Sequence, residues 1–201
     1  MTTLEFCFDF ASPNAYLAYR ALPGVIERTG AELQYTPVLL GGLFKVTGNQ
    51  SPIVAYANVP NKMAYEQLEI QRFIKKHSLT QFKFNPNFPI NTLLLMRGAI
   101  VADRDGRLEE YVEAGFSHMW EAPKKMDEPD VFTAALSESG FEGASILERT
   151  QDPAVKQALM DNTSRAVKRG AFGAPTFFVG EEIYFGKDRL GQVEEALGAA
   201  A

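Results

Sequence analysis

Residues 4–10 (LEFCFDF) place Leu4, Phe6, Phe8 and Phe10 on one face and Glu5, Cys7 and Asp9 on the other, the period-two pattern of a strand. At Ser12-Pro13 the period changes. A serine suited to capping precedes a proline at a first helical position, and Tyr16, Leu17, Tyr19, Arg20, Leu22, Val25 and Ile26 then recur at helical spacing until Gly30. Residues 32–40 (ELQYTPVLL) read as a second strand, parallel to the first across a right-handed crossover. The opening is therefore βαβ.

Residues 41–61 are rich in Gly, Pro, Asn and Ser, carry Lys45 as their one charge, and are expected to be irregular. A helical pattern spans 63–76, and a Pro/Asn-rich turn spans 82–89. Helices are expected over 92–101, 109–120, 129–138 and 153–169, separated by Gly, Pro and Asp breakers. The chain ends differently. Residues 176–179 (TFFV) and 182–185 (EIYF) form a predicted hairpin around Gly180-Glu181, and Asp188 is placed to cap a last helix carrying Leu190, Val193, Ala196 and Leu197. The order is βαβ, a helical insert, then ββα. This predicts an α/β core from residues 1–62 and 170–201, interrupted by an all-helical insertion over 63–169.

Composition narrows the partners. With 25 acidic against 20 basic residues and a net charge of −5, the chain has no broad positive field for a phosphate backbone, so nucleic acid is excluded as a partner. No stretch has the apolar length of a membrane span, and the first residues lack a secretory pattern, so a cytoplasmic location is expected. The single cysteine, Cys7, lies inside a strand and is read as a small buried residue. The two histidines, His77 and His118, are far apart in sequence, and no metal site is expected. Any thiol chemistry must use a sulfur brought from outside.

Two places suit such a sulfur. Ser12 follows a strand at a helix start, where unpaired N–H groups and the helix dipole favour negative charge; its plainer reading is a simple N-cap. Ala174-Pro175 directly precedes the third strand, where a cis peptide would turn a backbone edge outward. Ser12 after the first strand and Pro175 before the third, around a helical insert, form the thioredoxin arrangement. A disulfide oxidoreductase on that fold needs two thiols where this chain has Ser12-Pro13-Asn14-Ala15.

The motif Phe8-Asp9-Phe10-Ala11-Ser12-Pro13-Asn14-Ala15-Tyr16 resembles the opening of kappa-class glutathione transferases and of bacterial 2-hydroxychromene-2-carboxylate isomerases. The resemblance continues through 41–45 (GGLFK), 47–49 (TGN), 84–89 (FNPNFP), 170–175 (GAFGAP) and 185–189 (FGKDR), and the isomerase branch is the more similar at FNPNFP. It implies a thioredoxin-like fold of DsbA type, glutathione as cofactor, a small aromatic substrate and a homodimer. Ser12 matches the family's catalytic serine, which hydrogen-bonds the glutathione sulfur. Pro13, Ala174 and Pro175 match the surrounding cofactor cleft, and Ala174 departs from the larger aliphatic residue of kappa-class relatives. Asn49 and Lys62 match positions near the glycyl carboxylate, and Lys187 and Asp188 match the γ-glutamyl end. Lys45 and Asn85 are the candidates for substrate contact, against plainer readings as a solvated lysine and a turn-shaping asparagine. The resemblance leaves isomerase, glutathione-conjugating transferase and non-catalytic thiol-peptide binder as readings to separate.

Overall fold

The computed structural model describes residues 2–199. Strands β1 (Thr3–Phe8), β2 (Glu32–Pro37), β3 (Thr176–Val179) and β4 (Glu182–Phe185) form one sheet in the order β2-β1-β3-β4. The β1–β2 pair is parallel, with Phe6 opposite Tyr35, and the β1–β3 and β3–β4 pairs are antiparallel. Between β1 and β2 runs α1 (Pro13–Thr29), started by the Ser12 cap and Pro13 and ended by Gly30 at φ 65°. The remaining helices are α2 (Leu40–Thr47), α3 (Pro52–Ala55), α4 (Pro60–His77), α5 (Leu93–Arg104) and α6 (Leu108–Trp120). They are followed by α7 (Pro129–Glu138), α8 (Gly143–Arg149), α9 (Pro153–Lys168) and, after a 3-10 turn at Lys187–Arg189, α10 (Leu190–Ala199).

The alternation in β1 divides two buried clusters as its period requires. Leu4, Phe6 and Phe8 enter the main core, whereas Cys7 packs on the other face with Val38, Leu43, Ala166, Ala171 and Phe178. On the main face Phe6 stacks on Phe177 at 5.3 Å between ring centroids, and Phe8 and Phe10 meet Phe116 of α6 at 5.7 and 4.9 Å. Each fully buried phenylalanine contributes about 2 kcal/mol of transfer free energy. The same residues therefore fix the sheet and dock the helical segment on it. Arg20 of α1 adds a polar tie, bonding Glu113 at 2.7 Å and Glu121 at 2.8 Å, while the Tyr16 hydroxyl donates to Glu121 at 2.8 Å.

Three expectations are corrected, and one helix is added to those expected. Residues 41–61 are not wholly irregular, because they hold most of α2 and all of α3. The second strand stops at Pro37, and the backbone turns at Val38 and Leu39 into α2. Helix α8 is the unexpected one: it begins without a side-chain cap at Gly143, where a Cβ would lie 2.3 Å from the Thr133 carbonyl oxygen. Asp188 is not a cap for the last helix; it sits inside the 3-10 turn, paired with Lys187.

Packing between α6 and the β1–α1 turn is close enough to test. A Cβ at Gly115 would lie 2.5 Å from the Phe10 ring. Gly115→Ala should cost about 1–3 kcal/mol in urea denaturation. Gly191→Ala, in open space on α10, should be neutral or stabilising by up to about 1 kcal/mol. Equal midpoints for the two variants would contradict this packing.

Candidate functional site

The β1–α1 turn delivers Ser12 to the start of a 17-residue helix, with φ −91° and ψ 112°, outside the helical region as a cap requires. Its Oγ accepts from the Ala15 N–H at 3.1 Å and donates to the Ala174 carbonyl at 2.9 Å. Ser12 is 6% exposed, so these bonds form in a largely dry setting. The Ala174–Pro175 peptide is cis. Past Pro175, the Pro175 carbonyl is taken by the Gly186 N–H at 2.9 Å, but the Ala174 N–H has no partner among the described residues. Ala174 thus presents a donor and an acceptor beside Ser12.

Beneath the serine lies Asp9, 1% exposed. One carboxylate oxygen accepts from the Ala11 N–H at 2.9 Å and the Thr92 hydroxyl at 2.6 Å; the other accepts from the Leu40 N–H at 2.7 Å. These donors belong to the β1–α1 turn, the start of α2 and the residue before α5. Burial pushes the Asp9 carboxyl above the ordinary carboxylate range, opposed by the Ala11, Thr92 and Leu40 donors. Sequence reasoning placed Asp9 only within a motif. Its signal was an acid between Phe8 and Phe10, where the strand pattern runs into the Ser12-Pro13 helix start.

The other candidates separate. The Asn49 amide donates to the Phe172 carbonyl at 2.9 Å, two residues before Ala174, so Asn49 and Ser12 each bond the backbone of the loop that carries Ala174 and Pro175. Lys45 is exposed on the last turn of α2. Lys62 pairs with Glu66 at 2.9 Å and lies 5.3 Å over the Tyr56 ring. Asn85 is fully buried, with its amide donating to the Met119 and Lys124 carbonyls at 3.1 and 3.0 Å and its carbonyl accepting from Asn87. Its side chain is committed to shaping the 82–89 turn and is not presented to the cleft. Lys187 is buried, 2.8 Å from Asp188 and over the Phe73 ring, and lines a groove of about 550 Å³ between α1, α4 and α10. That groove lacks Ser12, Asn49 and Pro175, and its Arg28, Arg72 and Lys187 are paired with Glu194, Glu69 and Asp188. The Gly186 N–H, bonded to the Pro175 carbonyl at 2.9 Å, joins the Lys187–Asp188 turn to the Ala174–Pro175 loop.

Cys7 is fully buried on the opposite face of β1, and burial raises its thiol well above the ordinary range, so it supplies no nucleophile. Among the described residues no group of His, Cys, Asp or Glu is placed to hold a metal, and no helix is long and apolar enough to cross a membrane.

A family model described as a DSBA-like thioredoxin domain matches residues 3–198. The chain belongs to the DsbA-like thioredoxin family. It is similar to a 2-hydroxychromene-2-carboxylate isomerase of Sphingobium xenophagum, 27% identical over 195 residues that cover 97% of each chain. It is also similar to glutathione S-transferase kappa 1 of Rattus norvegicus, 28% identical over 208 residues, covering 97% of this chain and 90% of the relative. Among solved structures, a 2-hydroxychromene-2-carboxylate isomerase superposes with a TM-score of 0.84 at 24% identity, covering 98% of this chain and 95% of that one. A probable DsbA oxidoreductase of Streptomyces coelicolor superposes with a TM-score of 0.75 at 17% identity, covering 100% of this chain and 90% of that one. Within this DsbA-like fold, the helix start carries Ser12 and Ala15 instead of a pair of thiols.

Asp9→Ala would strand one buried donor, the Thr92 hydroxyl, and two partly buried ones, the Ala11 and Leu40 N–H groups, and should cost on the order of 3–5 kcal/mol. Because the folded-state pKa of Asp9 is raised, its stabilising contribution is complete below the ordinary carboxylate range and declines as pH rises through the raised value. Asp9→Asn removes this titration, so wild type should lose ground to that variant as pH rises across the window. Parallel denaturation curves at every pH would contradict the burial of this carboxyl.

Proposed function

We propose that this DsbA-like protein is a glutathione-dependent isomerase that interconverts 2-hydroxychromene-2-carboxylate and trans-o-hydroxybenzylidenepyruvate. The observation that carries this reading is the Ser12 hydroxyl, set at the N-terminus of α1 and 2.9 Å from the Ala174 carbonyl, in a cleft with no thiol of its own. Such a place stabilises a visiting thiolate by one hydroxyl donor and the helix N-terminus. The relatives named as isomerases and kappa transferases cover nearly the whole chain, which supports glutathione as the source of that thiolate.

The reaction needs a temporary single bond. The thiolate pair forms a C–S bond to the enone of the ring-opened substrate, and the π pair moves to the carbonyl oxygen as an enolate. Rotation follows, and return of the electron pair expels the thiolate and restores a trans alkene, so glutathione is recovered unchanged. In this reading the exposed Asp188 carboxylate meets the γ-glutamyl amino group, with Lys187 buried beneath it, and Asn49 and Lys62 face the glycyl carboxylate. The aromatic substrate has a wall available. Phe84 is 54% exposed and packs on Phe88 and Trp120, whose indole N–H donates to the Phe10 carbonyl at 2.9 Å, two residues before Ser12. Lys45, exposed and without an ion pair among the described residues, is the cation for the substrate carboxylate. Asn85 acts only by holding the turn that presents Phe84.

The similarity to kappa-class transferases favours a second reading, conjugation of glutathione to an electrophile on the same sulfur site. The two differ in what is released. Turnover of the chromene carboxylate with full recovery of free glutathione supports isomerisation, and a stable thioether product in its place overturns it. Ser12→Ala should keep the far-ultraviolet dichroism of the wild type but lower kcat/KM by about a hundredfold; unchanged turnover would remove Ser12 from the mechanism. Lys45→Ala should raise KM for the carboxylate substrate about tenfold without moving the pKa of bound glutathione. A normal KM would place the substrate carboxylate elsewhere.

A further inference from the structure

A hydroxyl has one proton to donate. In this structure the Ser12 proton is already used, because Oγ donates to the Ala174 carbonyl at 2.9 Å while accepting from the Ala15 N–H at 3.1 Å. Ser12 cannot stabilise a sulfur as donor until that bond is broken. Breaking it leaves the Ala174 carbonyl in a largely dry cleft without its donor, a cost of the kind that keeps such bonds closed. The neighbouring Ala174 N–H has no partner among the described residues, so residue 174 offers an extended chain one donor and one acceptor, the pair that strand-like peptide addition uses.

A thiol carried on a peptide brings its own remedy. In a cysteinyl unit the amide N–H lies three bonds from the sulfur, and the two groups the cleft offers them, Ser12 Oγ and the Ala174 carbonyl, are 2.9 Å apart. We propose that the amide N–H of the incoming cysteinyl unit replaces Ser12 at the Ala174 carbonyl and so releases the serine proton to the sulfur, making the site selective for thiols that carry a vicinal amide N–H. One donor enters and one is displaced, so every acceptor stays paired. The thiol S–H bond breaks as its proton passes to water, its electron pair stays on sulfur, and every other change is an exchange of hydrogen bonds. A simple alkyl thiol reaches the helix N-terminus but finds Ser12 closed on Ala174. The inference rests on the proposed role of glutathione and adds a rule for which thiols are activated.

The test uses full-length protein and three ligands: glutathione, its depsipeptide in which oxygen replaces the cysteinyl N–H, and γ-glutamyl-alanyl-glycine, which keeps the N–H but has no sulfur. The pKa of each bound thiol is read from the ultraviolet absorbance of its thiolate, and affinities come from calorimetry. In wild type, bound glutathione should titrate about one unit or more below the bound depsipeptide. In Ser12→Ala the two should titrate together. The sulfur-free peptide gives the opposite sign. In the proposed exchange its N–H displaces Ser12 in wild type with no sulfur to receive the proton, so Ser12→Ala should bind it severalfold more tightly while binding glutathione thiolate more weakly.

Equal thiol pKa values for glutathione and depsipeptide in wild type overturn the exchange. So does a loss of affinity for the sulfur-free peptide in Ser12→Ala that matches the loss for glutathione; this arm decides the matter even if the depsipeptide binds too weakly to titrate. Failure of wild type to bind either glutathione or the sulfur-free peptide overturns the glutathione reading itself. Binding of both without the predicted differences overturns only the exchange.

Discussion

A buried carboxylate must find donors or be neutralised, and Asp9 finds three from three connections that no local rule would bring together. The Ala11 N–H fixes the turn that delivers Ser12. The Leu40 N–H fixes the start of α2, which has no side-chain cap of its own, and the Thr92 hydroxyl fixes the approach to α5. One side chain therefore ties together the turn that carries Ser12 and the starts of α2 and α5. Its burial and its three donors pull the carboxyl in opposite directions, so the same group couples the shape of the site to proton concentration.

What was legible in the sequence follows from where each signal lies. The βαβ opening, the Ser12 cap, the Gly30 stop and the terminal hairpin all rest on residues within a few positions of the feature they specify. Helix α2 was illegible because its help is distant: Asp9 lies 31 positions from Leu40, and Thr163, which accepts from the Leu39 N–H, lies 124 positions away. Two adjacent glycines at Gly41-Gly42 argued locally for a loop, and tertiary bonds overruled them. Asn85 had two readings in sequence. The structure favours the turn because both its donors and its acceptor are satisfied inside the chain. Ser12 and Ala174 were recognisable separately, but their mutual hydrogen bond was not, since no pattern in either segment encodes it.

The cleft divides its labour between backbone and side chains. Residue 174 and the first turn of α1 present main-chain groups beside the Ser12 hydroxyl, whereas the substrate wall proposed above would be built from the side chains of Phe84, Phe88, Trp120 and Lys45. Main-chain geometry survives substitution so long as the fold does; a wall of side chains changes with each replacement. This explains how relatives of similar distance, at 27% and 28% identity, carry the names of an isomerase and of a transferase.

Cys7 sits one strand residue from Phe8, yet it faces away from the cleft, fully buried and beside the Glu5–Arg169 ion pair. A protein that concentrates a foreign thiolate risks being trapped by it, because any accessible sulfur of its own could end as a mixed disulfide when the surroundings turn oxidising. Here Cys7, the chain's one cysteine, is buried and offers such a thiolate no target. Under the proposed function the chain would hold a reactive sulfur at one end of β1 and stay chemically silent toward it, so peroxide would consume the ligand and leave the protein's own sulfhydryl reduced.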